Sequence, residues 1–240
     1  HDTVRRQRQM CIRDRTTNPS SLNHIYETSI TEGITFPLSD EDKGFLNISH
    51  YESIIEKVEW ADSVLIGPGL GRNKSTQLLI KKLVESIDKP LILDADGLFP
   101  YAGALNQLSS KKTPLILTPH FGEFSRLINV EVKDVISDFP RIMENTLKIF
   151  DQTLLMKQVP ICTFKNNKAV VNISGNPGLA TSGTGDILSG VIASFLAQGL
   201  NSFDAGTLGA FIQGKSADEL LSLKGFRGQI ASDLLEFIPS

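Results

Sequence analysis

The sequence predicts an α/β fold, a mostly parallel central sheet with helices on both faces and an antiparallel edge. Three observations carry this expectation. From Thr16 onward, short apolar runs alternate with longer amphipathic stretches. Three of the runs are continuously apolar, as parallel strands covered on both faces are. The last two short runs meet at an Asn-Asn dipeptide, a hairpin turn signal that makes this edge antiparallel.

The first strand spans 63–67 and runs into a glycine-rich turn. A crossover helix follows over 74–87, where Leu78, Leu79, Leu83 and Ile87 recur at helical spacing and Lys81, Lys82 and Glu85 serve the wet face. Strands at 90–93 and 114–117 come next, and Thr118-Pro119 reads as an N-cap followed by proline at the first helical position. Short strands follow at 153–156, 161–165 and 169–173, with Asn166-Asn167 turning between the last two. Segments 183–198 and 202–221 carry little charge and predict two largely buried helices, the first stopped by Gly199.

Length and charge narrow the function classes. A chain of 240 residues with 40% hydrophobic and 21% charged side chains forms a self-sufficient core without metal or disulfide support. The net charge of −3 supplies no overall attraction to nucleic acid or to an anionic membrane. Cys11 and Cys162 match no metal-ligand spacing, which favours a reducing compartment, and the cytoplasm is the expected location. No apolar run approaches the roughly 20 residues that span a bilayer. Residues 1–15 hold five of the nine arginines and no apolar period. Taking those five and the aspartates Asp2 and Asp14 from 24 basic and 27 acidic residues leaves 19 and 25, a net −6. The expected organisation is therefore a foreign-looking basic leader, 1–15, and a single domain, 16–240.

The richest stretch for chemistry is Gly175-Asn176-Pro177-Gly178-Leu179-Ala180-Thr181-Ser182-Gly183-Thr184-Gly185-Asp186, a glycine-rich loop entering a buried helix. Backbone N–H groups left unobstructed at Gly183 and Gly185 can converge on an anion that also feels the positive end of the helix dipole. Asp186 stands in the first turn, where a carboxylate with an ordinary pKa of about 3.9 is ionised at neutral pH and can accept a hydroxyl proton. Stabilising the helix end alone, at about 0.3–1 kcal/mol, explains the aspartate but not the glycines before it. Phosphoryl transfer needs a base and an oxyanion cradle close together, and this segment offers both.

Four further segments end predicted strands. Gly67-Pro68-Gly69-Leu70-Gly71-Arg72 is neither a dinucleotide fingerprint nor a Walker loop and reads equally as a bare turn. Asp94 and Asp96, in Asp94-Ala95-Asp96-Gly97, share one face of an extended backbone. Such a pair can hold a hydrated magnesium ion or orient a substrate hydroxyl, while helix capping also explains Asp96. His120 and Glu123 are three apart and project from one side of a first helical turn, although a lone histidine is commonly structural. Lys157 ends the strand Leu154-Leu155-Met156 and also fits a solvated strand-end charge. His24, His50 and Asp233 read as surface or capping residues, and Cys162 as a small buried side chain.

From about Thr16 to Phe237 these motifs, in order, resemble the ADP- or ATP-dependent NAD(P)H-hydrate dehydratases of the ribokinase-like superfamily. The family's Gly-x-Gly-Asp supplies an anion hole and a catalytic base, which the resemblance places on Gly183, Thr184, Gly185 and Asp186, with Asp186 also touching substrate. The stretch matching Gly67 to Gly71 lines the hydrated-nicotinamide pocket, implying contacts at Gly69 and Gly71. The family's Thr-Pro-His-x-Gly-Glu implies that His120 contacts substrate and that Glu123 helps organise magnesium and phosphates. Its Asp-Ala-Asp-Gly brings Asp94 and Asp96 near the site, with magnesium held through water as one role. Nucleotide contacts are implied at Lys157, Gln158, Val159, Pro160, Ile161, Asn176 and Gly185. Gln158 stands where the family has Gly, and Val159-Pro160-Ile161 replaces a more polar run.

The resemblance implies a three-layer ribokinase-like fold, Mg2+ as cofactor, ADP or ATP as phosphoryl donor, and hydrated NADH or NADPH as substrate, in a homo-oligomer. Asp186 would take the ring hydroxyl's proton, the terminal phosphoryl group would move onto that oxygen, and phosphate would leave as the ring double bond returns. Two alternatives remain: a ribokinase-like small-molecule kinase releasing a phosphorylated alcohol, and a nucleotide-binding fragment without turnover. Family members begin with a further stretch that includes a His-Lys-Gly segment. None is found here, so the chain is expected to be an N-terminally shortened family domain.

Overall fold

The computed structural model describes residues 14–30 and 33–238. Residues 1–13 of the expected leader lie outside that range, and Arg15 opens the first strand. Strands β1 (Arg15–Pro19) and β2 (Ile34–Leu38) pair in parallel, with helix α1 (Asn23–Ser29) between them. The sequence pattern gave no sign of this pair, because neither strand is continuously apolar.

The main sheet has six strands in chain order: β3 (Val64–Ile66), β4 (Leu91–Leu93), β5 (Leu115–Leu117), β6 (Thr153–Met156), β7 (Cys162–Lys165) and β8 (Lys168–Val171). Neighbours from β3 to β6 run parallel, while β7 and β8 fold back antiparallel through a turn in which Asn166 takes φ +50°. This matches the expected sheet and its antiparallel edge, although β8 stops at Val171 instead of reaching Ile173, which is exposed. The crossovers hold α2 (Tyr51–Val58), α3 (Lys74–Ser86), the single turn α4 (Asn106–Ser109), α5 (Phe121–Ile128), α6 (Val132–Ser137) and α7 (Phe139–Ile149). Helices α8 (Thr184–Ala197) and α9 (Ser202–Lys224) follow β8, and 3-10 turns over Phe226–Gly228 and Ala231–Glu236 come after them.

Strand side chains alternate between two apolar layers. Leu91, Leu93, Leu115, Leu117, Leu154 and Met156 pack with Leu79 and Leu83 of α3, Phe124 of α5 and Met143 of α7. Ile92, Ile116 and Leu155 point the other way, onto Leu188, Ile192 and Leu196 of α8 and Ala205 and Ala210 of α9. Burying each such side chain contributes about 1.5–3 kcal/mol, and covering both faces explains why these strands read as unbroken apolar runs. Within α3 the buried stripe is Thr76, Leu79, Ile80, Leu83 and Val84, so Leu78, expected inside, faces solvent. Because the parallel strands keep chain order, the carboxyl ends of β3, β4, β5 and β6 stand side by side at one edge.

Candidate functional site

The carboxyl ends of β3 and β4 meet backbone to backbone. Gly67 has φ +147°, and a Cβ built on it would fall 1.6 Å from the Asp94 carbonyl oxygen, so no larger residue fits. Beyond it, Gly69 and Gly71 sit at φ +72° in an open loop. At the end of β4 the chain turns at once, with Ala95 at φ +47° and a 3-10 turn over Ala95–Gly97. Asp94 and Asp96 therefore do not share a face. Asp94 turns into the protein, whereas Asp96 reaches the β3 loop, accepting the Gly71 amide at 2.9 Å and pairing with Arg72 at 3.2 Å.

The end of β5 leads to α5, whose N-cap is His120, not Thr118 as the proline suggested. The reason is a reciprocal capping box. His120 Nδ1 accepts the amides of Gly122 and Glu123 at 2.9 and 3.3 Å, and Glu123 Oε2 accepts the His120 amide at 2.9 Å. An accepting Nδ1 carries no proton, so the hydrogen resides on Nε2, which stands 3.4 Å from Glu123 Oε1. His120 is otherwise exposed.

Lys157, just past β6, ties these ends together. Its amide donates to the Pro119 carbonyl at 2.9 Å. Its ammonium is 2.5 Å from Asp94 Oδ1 and 4.0 Å from Glu123 Oε2, and it stands against Gly185, where an added Cβ would lie 3.5 Å from it. Helix α8 thus points its N-terminus at the strand ends. Gly183 forms its N-cap at φ +89°, a conformation that costs a side chain about 1–2 kcal/mol. Asp186 and Ile187 donate to the Gly183 carbonyl and Thr184 to Thr181, while the amides of Gly183 and Gly185 have no partner among the described residues. Thr184 is buried, its hydroxyl donating to the carbonyls of Leu179 and Thr181, so it braces the loop from below.

Asp186 is exposed at this mouth. Its carboxyl is pushed up from the ordinary carboxylate value, first by burial and then by the charge of Asp94, with Lys157 opposing both. The sequence offered an unperturbed aspartate; the neighbours supply the difference.

The remaining expected residues are held by the protein itself. Asn176 caps Pro177–Ala180 by accepting the Gly178 amide and donates to Ala217 and Asp218 of α9. Gln158 donates to the Cys162 sulfur at 3.4 Å, Val159 is fully exposed, the Val159-Pro160 bond is cis, and Ile161 packs on the α8 and α9 side of the sheet. Each of the three carboxylates named for magnesium is engaged by the protein: Asp94 by buried donors, Asp96 by Gly71 and Arg72, and Glu123 by the His120 amide. No cluster of three or more His, Cys, Asp or Glu suited to a metal occurs among the described residues.

Sequence reasoning missed Ser189, Gln213 and Asp218. Ser189 donates to Asp94 Oδ2 at 2.6 Å, Gln213 donates to the Thr184 carbonyl at 2.6 Å, and Asp218 accepts the Gly175 amide at 2.9 Å. For Ser189 and Gln213 the available signal was a polar residue on the buried face of an apolar helix; Asp218 is half-buried and gave none.

Known proteins resemble this chain in sequence and in fold. A family model described as NAD(P)H-hydrate dehydratase matches residues 17–240. The bifunctional NAD(P)H-hydrate repair enzyme Nnr of Moorella thermoacetica is 33% identical over 222 residues, covering 92% of this chain and 42% of that protein. The chain thus spans about two fifths of the length of such curated relatives. Among solved structures, the ADP/ATP-dependent NAD(P)H-hydrate dehydratase of Bacillus subtilis, co-crystallised with ATP and Mg2+, superposes with a TM-score of 0.70 at 23% identity, covering 92% of this chain and 75% of that one. A ribokinase-like superfamily protein of Enterococcus faecalis reaches 0.75 at 23% identity, covering 94% of this chain and 74% of that one. The fold is therefore ribokinase-like, and the chain belongs to the NAD(P)H-hydrate dehydratase family.

Proposed function

We propose that this chain removes water from hydrated NADH or NADPH at the expense of ADP or ATP. The observation that carries the reading is the mouth of α8, where the exposed Asp186 carboxylate, the open amides of Gly183 and Gly185 and the Lys157 ammonium meet at the ends of four strands. Asp186 takes the proton of the ring hydroxyl, and the freed oxygen attacks the terminal phosphorus of the nucleotide. The bond to the bridging oxygen breaks, and a nucleotide one phosphate shorter departs. The phosphorylated ring then loses phosphate together with a proton from the neighbouring ring carbon, which restores the double bond. A placed general base contributes roughly 10² to 10⁴ in rate, and donors aimed at the migrating charge supply much of the rest.

Gly69, Gly71 and His120 are assigned to the substrate side, where the β3 loop is open and the His120 side chain is exposed. Gln158, Val159, Pro160 and Ile161 follow Lys157 on the nucleotide side, and Asn176 acts there by fixing its loop to α9. The carboxylates do not form a protein cage for magnesium. Glu123 is the residue that would help hold a magnesium ion brought in with the nucleotide phosphates. Bound there, the ion would neutralise phosphate charge.

Among the described residues no helix is long and apolar enough to cross a membrane. The cysteine usage supports the proposed cytoplasmic location. We also propose a homo-oligomer, supported by exposed Val171, Ile173 and Phe211, which border a groove of about 350 Å³ between β8 and α9, and the acidic net charge supports a chain that binds neither nucleic acid nor membrane.

The test is an assay of purified chain with hydrated NADPH, magnesium and either nucleotide. Recovery of NADPH absorbance with release of phosphate is expected, and Asp186→Asn should lower kcat by about 10²-fold or more. A stable phosphoester product would replace this reading with that of a small-molecule kinase.

A further inference from the structure

Asp94 is completely buried, and both its carboxylate oxygens are in use. Oδ1 accepts the Ala95 amide at 2.8 Å and the Lys157 ammonium at 2.5 Å, and Oδ2 accepts the Ser189 hydroxyl at 2.6 Å. A buried carboxylate left without such partners carries a large desolvation cost. The partners come from the turn after β4, the end of β6 and the second turn of α8. Ser189 follows Gly185 by four residues, so hydroxyl and glycine share one face of the helix. The contacts therefore close a ring through Ser189, Asp94, Lys157 and Gly185.

We propose that Asp94 and Ser189 are positioning residues that hold the Lys157 ammonium against Gly185, where it meets the outer phosphates of the bound adenine nucleotide. An ammonium has three N–H donors. Asp94 takes one, and Glu123 at 4.0 Å is beyond hydrogen-bond reach, so donors remain for a ligand. The amides of Gly183 and Gly185, which have no partner among the described residues, belong to the helix end against which the lysine stands, so the lysine adds to the positive lining that this end begins. Without Asp94, a four-carbon side chain with rotatable bonds would spread over many conformers before each binding event. Ser189 fixes the carboxylate that fixes the lysine, and it couples the rotation of α8 to the position of the ammonium. The inference rests on the reading that nucleotide phosphates occupy this mouth.

Calorimetry with ADP and magnesium tests it on wild type, Asp94→Asn, Ser189→Ala, Lys157→Met and the Asp94→Asn/Lys157→Met pair, each checked for folding by thermal melting. Asp94→Asn and Lys157→Met should each weaken ADP binding roughly tenfold, and Ser189→Ala about threefold. The double variant should bind no worse than Lys157→Met, because Asp94 acts through the lysine. A purely architectural ring would lower the melting temperature and leave the ADP affinity of the folded protein unchanged, which overturns the proposal. A double variant much weaker than Lys157→Met also overturns it. Should Asp94→Asn fail to fold, Ser189→Ala decides, and wild-type affinity there ends the idea. Wild type that binds ADP without restoring NADPH absorbance defeats the dehydratase reading and leaves this inference standing; wild type that binds no ADP defeats both.

Discussion

Asp94 and Asp186 are carboxylates close enough for one to raise the pKa of the other, yet their surroundings give them opposite work. Asp94 has spent its oxygens on three donors and has none left for a substrate. Asp186 is exposed and its carboxylate has no hydrogen-bond partner among the described residues, so its oxygens are free to receive a proton. Its raised pKa makes it a stronger base but requires a higher pH for the ionised form. The acid limb of kcat/KM should therefore lie above the ordinary carboxylate value of about 3.9. Lys157 opposes the rise. Replacing it by methionine removes that opposition, so the limb should move to still higher pH, as a pH-rate series on both proteins would show. A limb that stays fixed or moves down would dissociate Asp186 from the titrating base.

At the scale of elements, the mouth of α8 depends on how the chain enters it. Gly183 supplies the left-handed residue that brings the loop round, and a Cβ there would stand 3.1 Å from Ala231 Cβ. Gly183→Ala should cost about 1–2 kcal/mol, lower the melting temperature by roughly 2–8 °C and weaken ADP binding, because strain and crowding move the amides that face the phosphate. A melt and an ADP titration on one sample check both effects; unchanged affinity would place the phosphate elsewhere. This mouth was legible in the sequence because a glycine run before a charge-poor helix has few other physical causes. The strands β3 to β6 were legible because burial on both faces leaves an unbroken apolar run. Two elements were hidden for the opposite reason. Strands β1 and β2 mix exposed, half-buried and buried positions without an apolar run, and the N-cap of α5 was decided by the His120–Glu123 exchange, which outweighed the proline signal. The Ser189–Asp94–Lys157 ring was hidden too, since its members are 95 and 63 residues apart from Asp94 and only the sheet order brings them together.

For the molecule as a whole, the site exists because two helical layers clamp one sheet, each strand delivering alternate side chains to each layer. Ile92 and Leu93 are neighbours in β4 and both fully buried, Ile92 against α8 and α9, Leu93 in the layer that includes α3 and α5. A sheet with one wet face would tolerate truncation at one of these positions within about 0.5 kcal/mol. A sheet covered twice tolerates neither. Ile92→Ala and Leu93→Ala should each cost about 2–5 kcal/mol and lower the melting temperature by roughly 5–15 °C. Their consequences for binding should differ. Ile92 supports the layer that carries the α8 mouth, so its loss should loosen Ser189 from Asp94 and weaken ADP binding in the folded protein. Leu93 supports the crossover layer, so its loss should act mainly through stability. Melting curves paired with ADP titrations on the two variants would show it, and equal binding losses would mean that the two layers do not divide the work in this way.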